Sequence, residues 1–116
     1  MSTNALFFAW NRPIPGRERP SAEHFQEFSS YLAGLQKKGS IGSFDTVLLD
    51  THGGDLNGFF LIRGESAKLD ALQRDDAWTE HMIRASLHLE GAGAVRGMTG
   101  DAIAKGMEIW QKHIPA

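Results

Sequence analysis

The chain has 116 residues, 41% of them hydrophobic and 22% charged, with a formal net charge of −2 and no cysteine. That length makes one domain able to bury about two-thirds of the surface its unfolded chain exposes. The near-balanced charge, with no basic block or stripe, speaks against nucleic acid or an anionic membrane as partner. The missing thiols exclude disulfides, thiol catalysis and thiolate metal sites, and they suit a reducing cytoplasm.

The first apolar run, Ala5–Trp10, is too short for a signal-peptide core. No segment approaches the ~18 apolar residues that span a bilayer, and the chain reads as a soluble cytoplasmic protein. Ala5–Trp10 is aromatic and apolar throughout and predicts a short buried strand. Asn11-Arg12-Pro13-Ile14-Pro15-Gly16 ends it, because its prolines and glycine oppose regular ladder pairing. Residues 12–20 read either as a stiff exposed connector or as a lid whose Arg12, Arg17 and Arg19 meet an anion. Ser21 as N-cap, Glu23 near the positive end, and Lys37-Lys38-Gly39 at the other end predict a helix over 21–38. Phe25, Phe28, Leu32 and Leu35 form its apolar stripe. His24 and Tyr31 fall on a neighbouring line, as boundary positions or as the lining of a pocket.

Residues 41–63 read as a long β-hairpin turning at Thr51-His52-Gly53-Gly54-Asp55. Before the turn, Ile41, Val47 and Leu49 share one strand face and Phe44 and Leu48 the other. After it, Leu56, Phe60 and Ile62 alternate with Phe59 and Leu61. Both strands are apolar on both faces, so each side of the sheet must be covered. Ser66 caps a helical turn through Ala67, Leu69 and Leu72, and Asp75-Asp76 marks a restart or kink. Trp78, Met82, Ala85 and Leu89 then predict a longer helix, ended by Gly91 and Gly93. A last strand covers 94–98. Asp101 caps a C-terminal helix with the stripe Ile103, Met107, Trp110, Ile114, stopped by Pro115.

This order, β-α-β-β-α-β with an extra C-terminal helix, predicts a ferredoxin-like α+β domain: a four-stranded antiparallel sheet with both long helices on one face. The other face, carrying Phe8, Trp10 or their alternates, would lie bare, and a patch of that kind marks an interface. The simplest cover is the same face of a second copy, giving a homodimer about a two-fold axis.

Several motifs fail on context. Gly91-Ala92-Gly93-Ala94-Val95-Arg96-Gly97 follows a helix and precedes a strand, the reverse of a dinucleotide loop. His52-Gly53-Gly54 resembles an oxyanion loop, but no Gly-x-Ser-x-Gly supplies a nucleophile. Asp50, Asp55 and Asn57 lack the spacing of a calcium loop and are explained as turn formers. What remains is His81, Arg84 and His88 in one sector beside the second core stripe. Two imidazoles and a guanidinium there suit an anionic or oxygen-rich small molecule, with histidine as acid, base or donor; a solvated helix face is the other reading. Their i, i+7 separation, about 10 Å, does not suit a shared metal ion, and no cofactor is called for. Partial burial beside the guanidinium predicts imidazole pKa values below ~6.5.

The element order, the length and the doubly apolar sheet resemble the dimeric α/β-barrel superfamily across residues 6–98. That group includes YCII-related proteins, antibiotic-biosynthesis monooxygenases, muconolactone-isomerase-like enzymes and haem-degrading monooxygenases. The resemblance implies a His–Asp pair near a cleft, with Asp45 and His81 or His88 in those places, and it offers a haem-ligating histidine as a further alternative. The expected site is then His81, His88 and Asp45 as catalytic groups, with Arg84, Tyr31, Trp10, Phe44, Phe60 and Trp78 holding a small, partly apolar, oxygenated ligand. The competing reading is a dimeric interaction module without chemistry.

Overall fold

The computed structural model describes residues 2–116. Four strands, β1 (Ala5–Trp10), β3 (Ser43–Leu48), β4 (Gly58–Arg63) and β6 (Gly93–Gly97), pair antiparallel in the order β3-β4-β1-β6. Helix α1 (Glu18–Lys37) links β1 to β3, while α2 (Ser66–Arg74) and α3 (Asp76–His88) link β4 to β6. A two-residue pair, β2 (Arg12–Pro13) with β5 (Leu89–Glu90), ties the start of α1 to the end of α3, and α4 (Asp101–Gln111) closes the chain. This is the ferredoxin-like topology expected from the hydrophobic pattern.

The register decides which strand face meets the helices. Phe8 lies opposite Phe60 on β4 and Ala94 on β6, and Thr46 of β3 lies opposite Phe60. Leu6, Phe8, Trp10, Phe60 and Ile62 form one cluster with Phe28, Leu32 and Leu35 of α1, Leu69 and Leu72 of α2, and Trp78 and Ala85 of α3. Phe28 is the hub, with its ring 5.3 Å from Phe8, 5.1 Å from Phe60 and 5.8 Å from Trp78. Each such side chain contributes about 1.5–3 kcal/mol by leaving water. Phe8 and Trp10 therefore face the helices, and their alternates make the open face. There Phe7 pairs with Leu61 and Val95, and Ala9 with Phe59, which also meets Val47. The Phe7 and Phe59 rings are 4.9 Å apart and half-buried, and Val95 is exposed.

Local departures from the expected elements have physical causes. Helix α1 begins at Glu18 rather than after Ser21. Pro20 sits in its first turn, where no amide is needed, and the Glu18 carboxylate accepts from the Gly16 amide at 2.8 and 3.0 Å. Ser21 is thus inside the helix, its amide donating to Arg17 O at 3.1 Å. Pro13 does enter a ladder, against expectation. The flanking amides of Asn11 and Ile14 make the bonds, to Glu90 O at 2.9 Å and His88 O at 2.8 Å, so the missing donor is not required. Leu89 leaves the helical stripe for β5, and His88 becomes the last helical residue. The hairpin strands stop at Leu48 and resume at Gly58, leaving a broader loop than the one expected, with Leu48 and Leu56 exposed. Asp75 ends α2 and caps α3, accepting from the Ala77 amide at 3.4 Å.

One structural residue was not foreseen. Arg96 on β6 reaches Asp70 at 2.6 Å, Gln73 at 3.1 Å, Thr3 O at 3.1 Å, and Ser66 O and Oγ at 3.2 and 3.0 Å. Asp70 is exposed, so the ion pair itself contributes little; the half-buried bonds to α2 and the N-terminal segment dominate. Arg96→Met is expected to cost about 2–3 kcal/mol, read as a lower urea midpoint with an unchanged slope.

Candidate functional site

The site grows from three positions on α1 and two on α3. Ser21, His24 and Phe28 are spaced i, i+3, i+7, so they share the helix face that packs on α3 and the sheet. His81 and His88 lie two turns apart on the facing side of α3. His24 fits between them. Ser21 Oγ is 2.6 Å from His88 Nδ1, His88 Nε2 is 2.7 Å from His24 Nδ1, and His24 Nε2 is 2.9 Å from His81 Nδ1. The His24 and His81 planes differ by only 9° with centroids 5.2 Å apart; with the short N···N distance this places them edge to edge. His88 stands at 86° to His24. Ser21 Oγ also lies 3.2 Å from His88 O, to which it can donate.

Burial sets the protonation state. His24 and His88 are buried, at 4% and 7% exposure. Desolvation, with the Arg84 charge next in weight and then His88 and His81, pulls the His24 pKa down to about 4, against a small opposing pull from Glu27. His81 and His88 are lowered for the same first two reasons, burial and then Arg84, with Glu27 and Glu80 opposing at His81. Arg84 is itself held by Glu27 at 2.7 Å, and that bond lowers the Glu27 pKa. At neutral pH the three rings are neutral, so each offers one donor and one acceptor nitrogen.

A cavity of about 270 Å³ opens beside this row, walled by Phe8, Trp10, Phe25, Phe28, Phe60 and Leu48, with Ser21, His24, His88 and Glu18 also in its lining. Trp10 takes its place only because residue 58 is glycine: a Cβ there would meet Trp10 Cζ2 at 2.5 Å. On another side of His24 and His88 a hollow of about 320 Å³ is lined by Arg17, Glu23, Arg84 and Leu87. Arg17 donates to Leu87 O across it.

The expected residues divide accordingly. Trp10, Phe60 and His88 line the cavity, and His81 joins it through His24. Arg84 borders the second hollow. Tyr31 packs on His81, centroids 4.4 Å apart, and its buried hydroxyl has no partner among the described residues. Phe44 and Trp78 belong to the core and do not line the cavity. Asp45 is not brought to the histidines. It has the open-face parity of Val47 and pairs with Arg63 at 2.6 Å on the far side of the sheet. His24 takes the pocket-lining place that was one of its two readings, whereas Tyr31 does not line the cavity; Ser21, read only as an N-cap, is the residue that the sequence reasoning missed.

The donor set does not fit a metal or a haem. The two nitrogens of His24 face different partners, so the lone pairs do not converge, and no group of three or more His, Cys, Asp or Glu among the described residues is arranged to hold a metal ion. Both nitrogens of His24 and of His88 are engaged, and His81 does not line the cavity, which leaves no ring in the cavity free to ligate iron. No helix among the described residues is long and apolar enough to cross a membrane.

No family model and no curated protein matches the chain. Among solved structures it is similar to a dimeric protein of unknown function and ferredoxin-like fold from Bacteroides fragilis NCTC 9343. The TM-score is 0.59 at 10% identity, over 82% of this chain and 95% of that one. At that identity the likeness is one of fold, and the fold of this chain is ferredoxin-like.

Proposed function

We propose that this chain is a homodimeric, enzyme-like protein that binds a small, partly apolar, oxygenated compound between the helices and the sheet and moves a proton at its oxygen-bearing end. The observation that carries the reading is the Ser21–His88 pair, 2.6 Å apart, in the lining of a cavity whose other walls are mostly aromatic and aliphatic. An apolar chamber with a few convergent polar groups is the usual form of a small-ligand site. A carbonyl or hydroxyl oxygen seated at Ser21 Oγ meets a hydroxyl whose other neighbour is a neutral imidazole, an acid–base pair suited to proton transfer near pH 7.

Dimerisation rests on the open face. Phe7, Phe59, Leu61 and Val95 form a connected apolar patch, and a second copy covers it with the same residues. The similarly folded Bacteroides fragilis protein is described as dimeric. The absence of cysteine fits a cytoplasmic setting. The non-catalytic module is the second reading, favoured by α4, whose Ile103, Met107, Trp110 and Ile114 are all exposed.

Ala22 lines the cavity yet is exposed, so Ala22→Phe blocks the chamber without disturbing the core. Saturation-transfer NMR with acetophenone and phenol is expected to show saturable binding to the wild type, weakened about tenfold or more in the variant, roughly 1.4 kcal/mol. Equal binding by a folded variant would place the ligand elsewhere and sink the reading.

A further inference from the structure

We infer that Ser21, His88, His24 and His81 form one proton-conducting path from the cavity to the half-buried His81 ring, and that the substrate is a carbonyl compound isomerised through its enolate. The inference rests on the cavity being the ligand site. Its motivation is the unbroken geometry: three consecutive bonds of 2.6, 2.7 and 2.9 Å join four side chains drawn from two helices. Every ring nitrogen in the row has one partner within the row, except His81 Nε2 at its end, which has no bonded partner among the described residues. His24 and His88 are shielded from water, whereas His81 is half-buried.

Neutral imidazoles in such a row have two consistent arrangements. In one, Ser21 donates to His88 Nδ1, and all three rings carry their proton on Nε2. In the other, all three carry it on Nδ1, and the His88 ring donates to Ser21 Oγ, whose own proton turns to His88 O. Passing from the first to the second moves one proton along the whole row. With the substrate carbonyl seated beside Ser21, the proton on its adjoining α-carbon goes to Ser21 Oγ as the serine proton goes to His88 Nδ1. The His88 Nε2 proton then passes to His24 Nδ1, the His24 Nε2 proton to His81 Nδ1, and the His81 Nε2 proton to water. The electron pair of the broken C–H bond becomes the enolate π system, and the rings stay neutral.

The second arrangement must be reset before another turnover. Returning a proton from water through His81 to a different carbon of the same enolate does this, so a reaction that takes a proton from one atom and gives it to another leaves the row unchanged. This is why isomerisation fits the path. A neutral imidazole is a weak base, so the substrate proton must be acidified by conjugation, through an aryl ring or a second carbonyl. The aromatic walls suit such a group. The charges facing the row are Arg84, Glu27 and Glu80 at His81 and His24, with Arg17 and Glu23 in the adjoining hollow and Glu18 in the cavity lining. None of the six lies in the bonded row itself.

The test reads the ring protons directly by ¹H–¹⁵N NMR of the intact protein at pH 7. His24 and His88 ring N–H exchange with solvent is expected to slow by about an order of magnitude or more in His81→Phe, which keeps the ring shape and removes the terminal nitrogens. His81→Asn, whose side-chain amide takes the Nδ1 position and keeps a hydrogen bond to His24 but cannot pass a proton, is expected to slow it likewise. Acetophenone binding is expected to be unchanged in both. Unaltered exchange in either folded variant, or a doubly protonated His24 in the wild type, would overturn the path. Failure of acetophenone to bind the wild type would instead remove the cavity reading, whatever the exchange rates.

Discussion

Phe60→Asp is expected to leave no folded protein, while Phe59→Asp leaves a folded monomer. The two residues are neighbours on β4 and point to opposite sides of the sheet. Phe60 is 1% exposed, with the rings of Phe28, Phe25, Trp10 and Phe8 at 5.1, 5.5, 5.7 and 6.4 Å. Removing the ring costs about 3–5 kcal/mol, and an unpaired carboxylate in that space adds several more. The sum reaches the total stability of a typical domain, about 5–15 kcal/mol. Circular dichroism should show an unfolded chain. On the open face, Phe59→Asp places a carboxylate beside Phe7 that stays hydrated in the monomer and is buried in the proposed dimer. Sedimentation equilibrium should give 12.8 kDa for this variant, and twice that for the wild type. A folded Phe60→Asp protein, or a dimeric Phe59→Asp protein, would contradict the assignment of faces.

The second large effect is a loss of stability on mild acidification. Above pH ~6.5 the three histidines of the row are neutral in both folded and unfolded chains, so they add no pH dependence. Below it the unfolded chain binds protons that the folded row refuses, and stability falls as pH drops. For His24 the fall continues until its folded pKa of about 4. That interval corresponds to at most about 3 kcal/mol, of which about 2 are lost by pH 5. His81 and His88 act in the same direction. Glu27, whose pKa is lowered, contributes stability that is lost only at lower pH, below its unfolded value of 4.5, so the window above pH 5 reports mainly histidine. Urea midpoints at pH 7.5 and 5, at one protomer concentration, should differ strongly for the wild type and less for His24→Gln. A flat wild-type profile would mean solvated imidazoles.

The fold was legible because the two long helices carry narrow apolar stripes and the strands lie between clear turn signals. Which strand face meets the helices was not. Leu6, Phe8 and Trp10 are no more apolar than Phe7 and Ala9 beside them, and only the register with Phe60 and Ile62 separates the two sets. Asp45 shows the consequence: once Val47 is known to lie on the open face, Asp45 goes with it, away from the histidines. The start of α1 was misplaced because Ser21 has good capping chemistry, while its actual role, a bond to His88 sixty-seven residues away, is tertiary. The His81–Arg84–His88 sector could be read from α3 alone. His24 joins it only when α1 and α3 pack, so no spacing within either helix could show the row complete. The β2–β5 pairing is long-range in the same sense.

Crystallographic screening of small aromatic ketones and phenols tests the proposed site most directly. The expected result is a ring packed against Trp10 and Phe25, with its oxygen about 2.6–3.2 Å from Ser21 Oγ. Fragments that gather on the open sheet face or along α4 and leave the cavity beside His88 empty would contradict it.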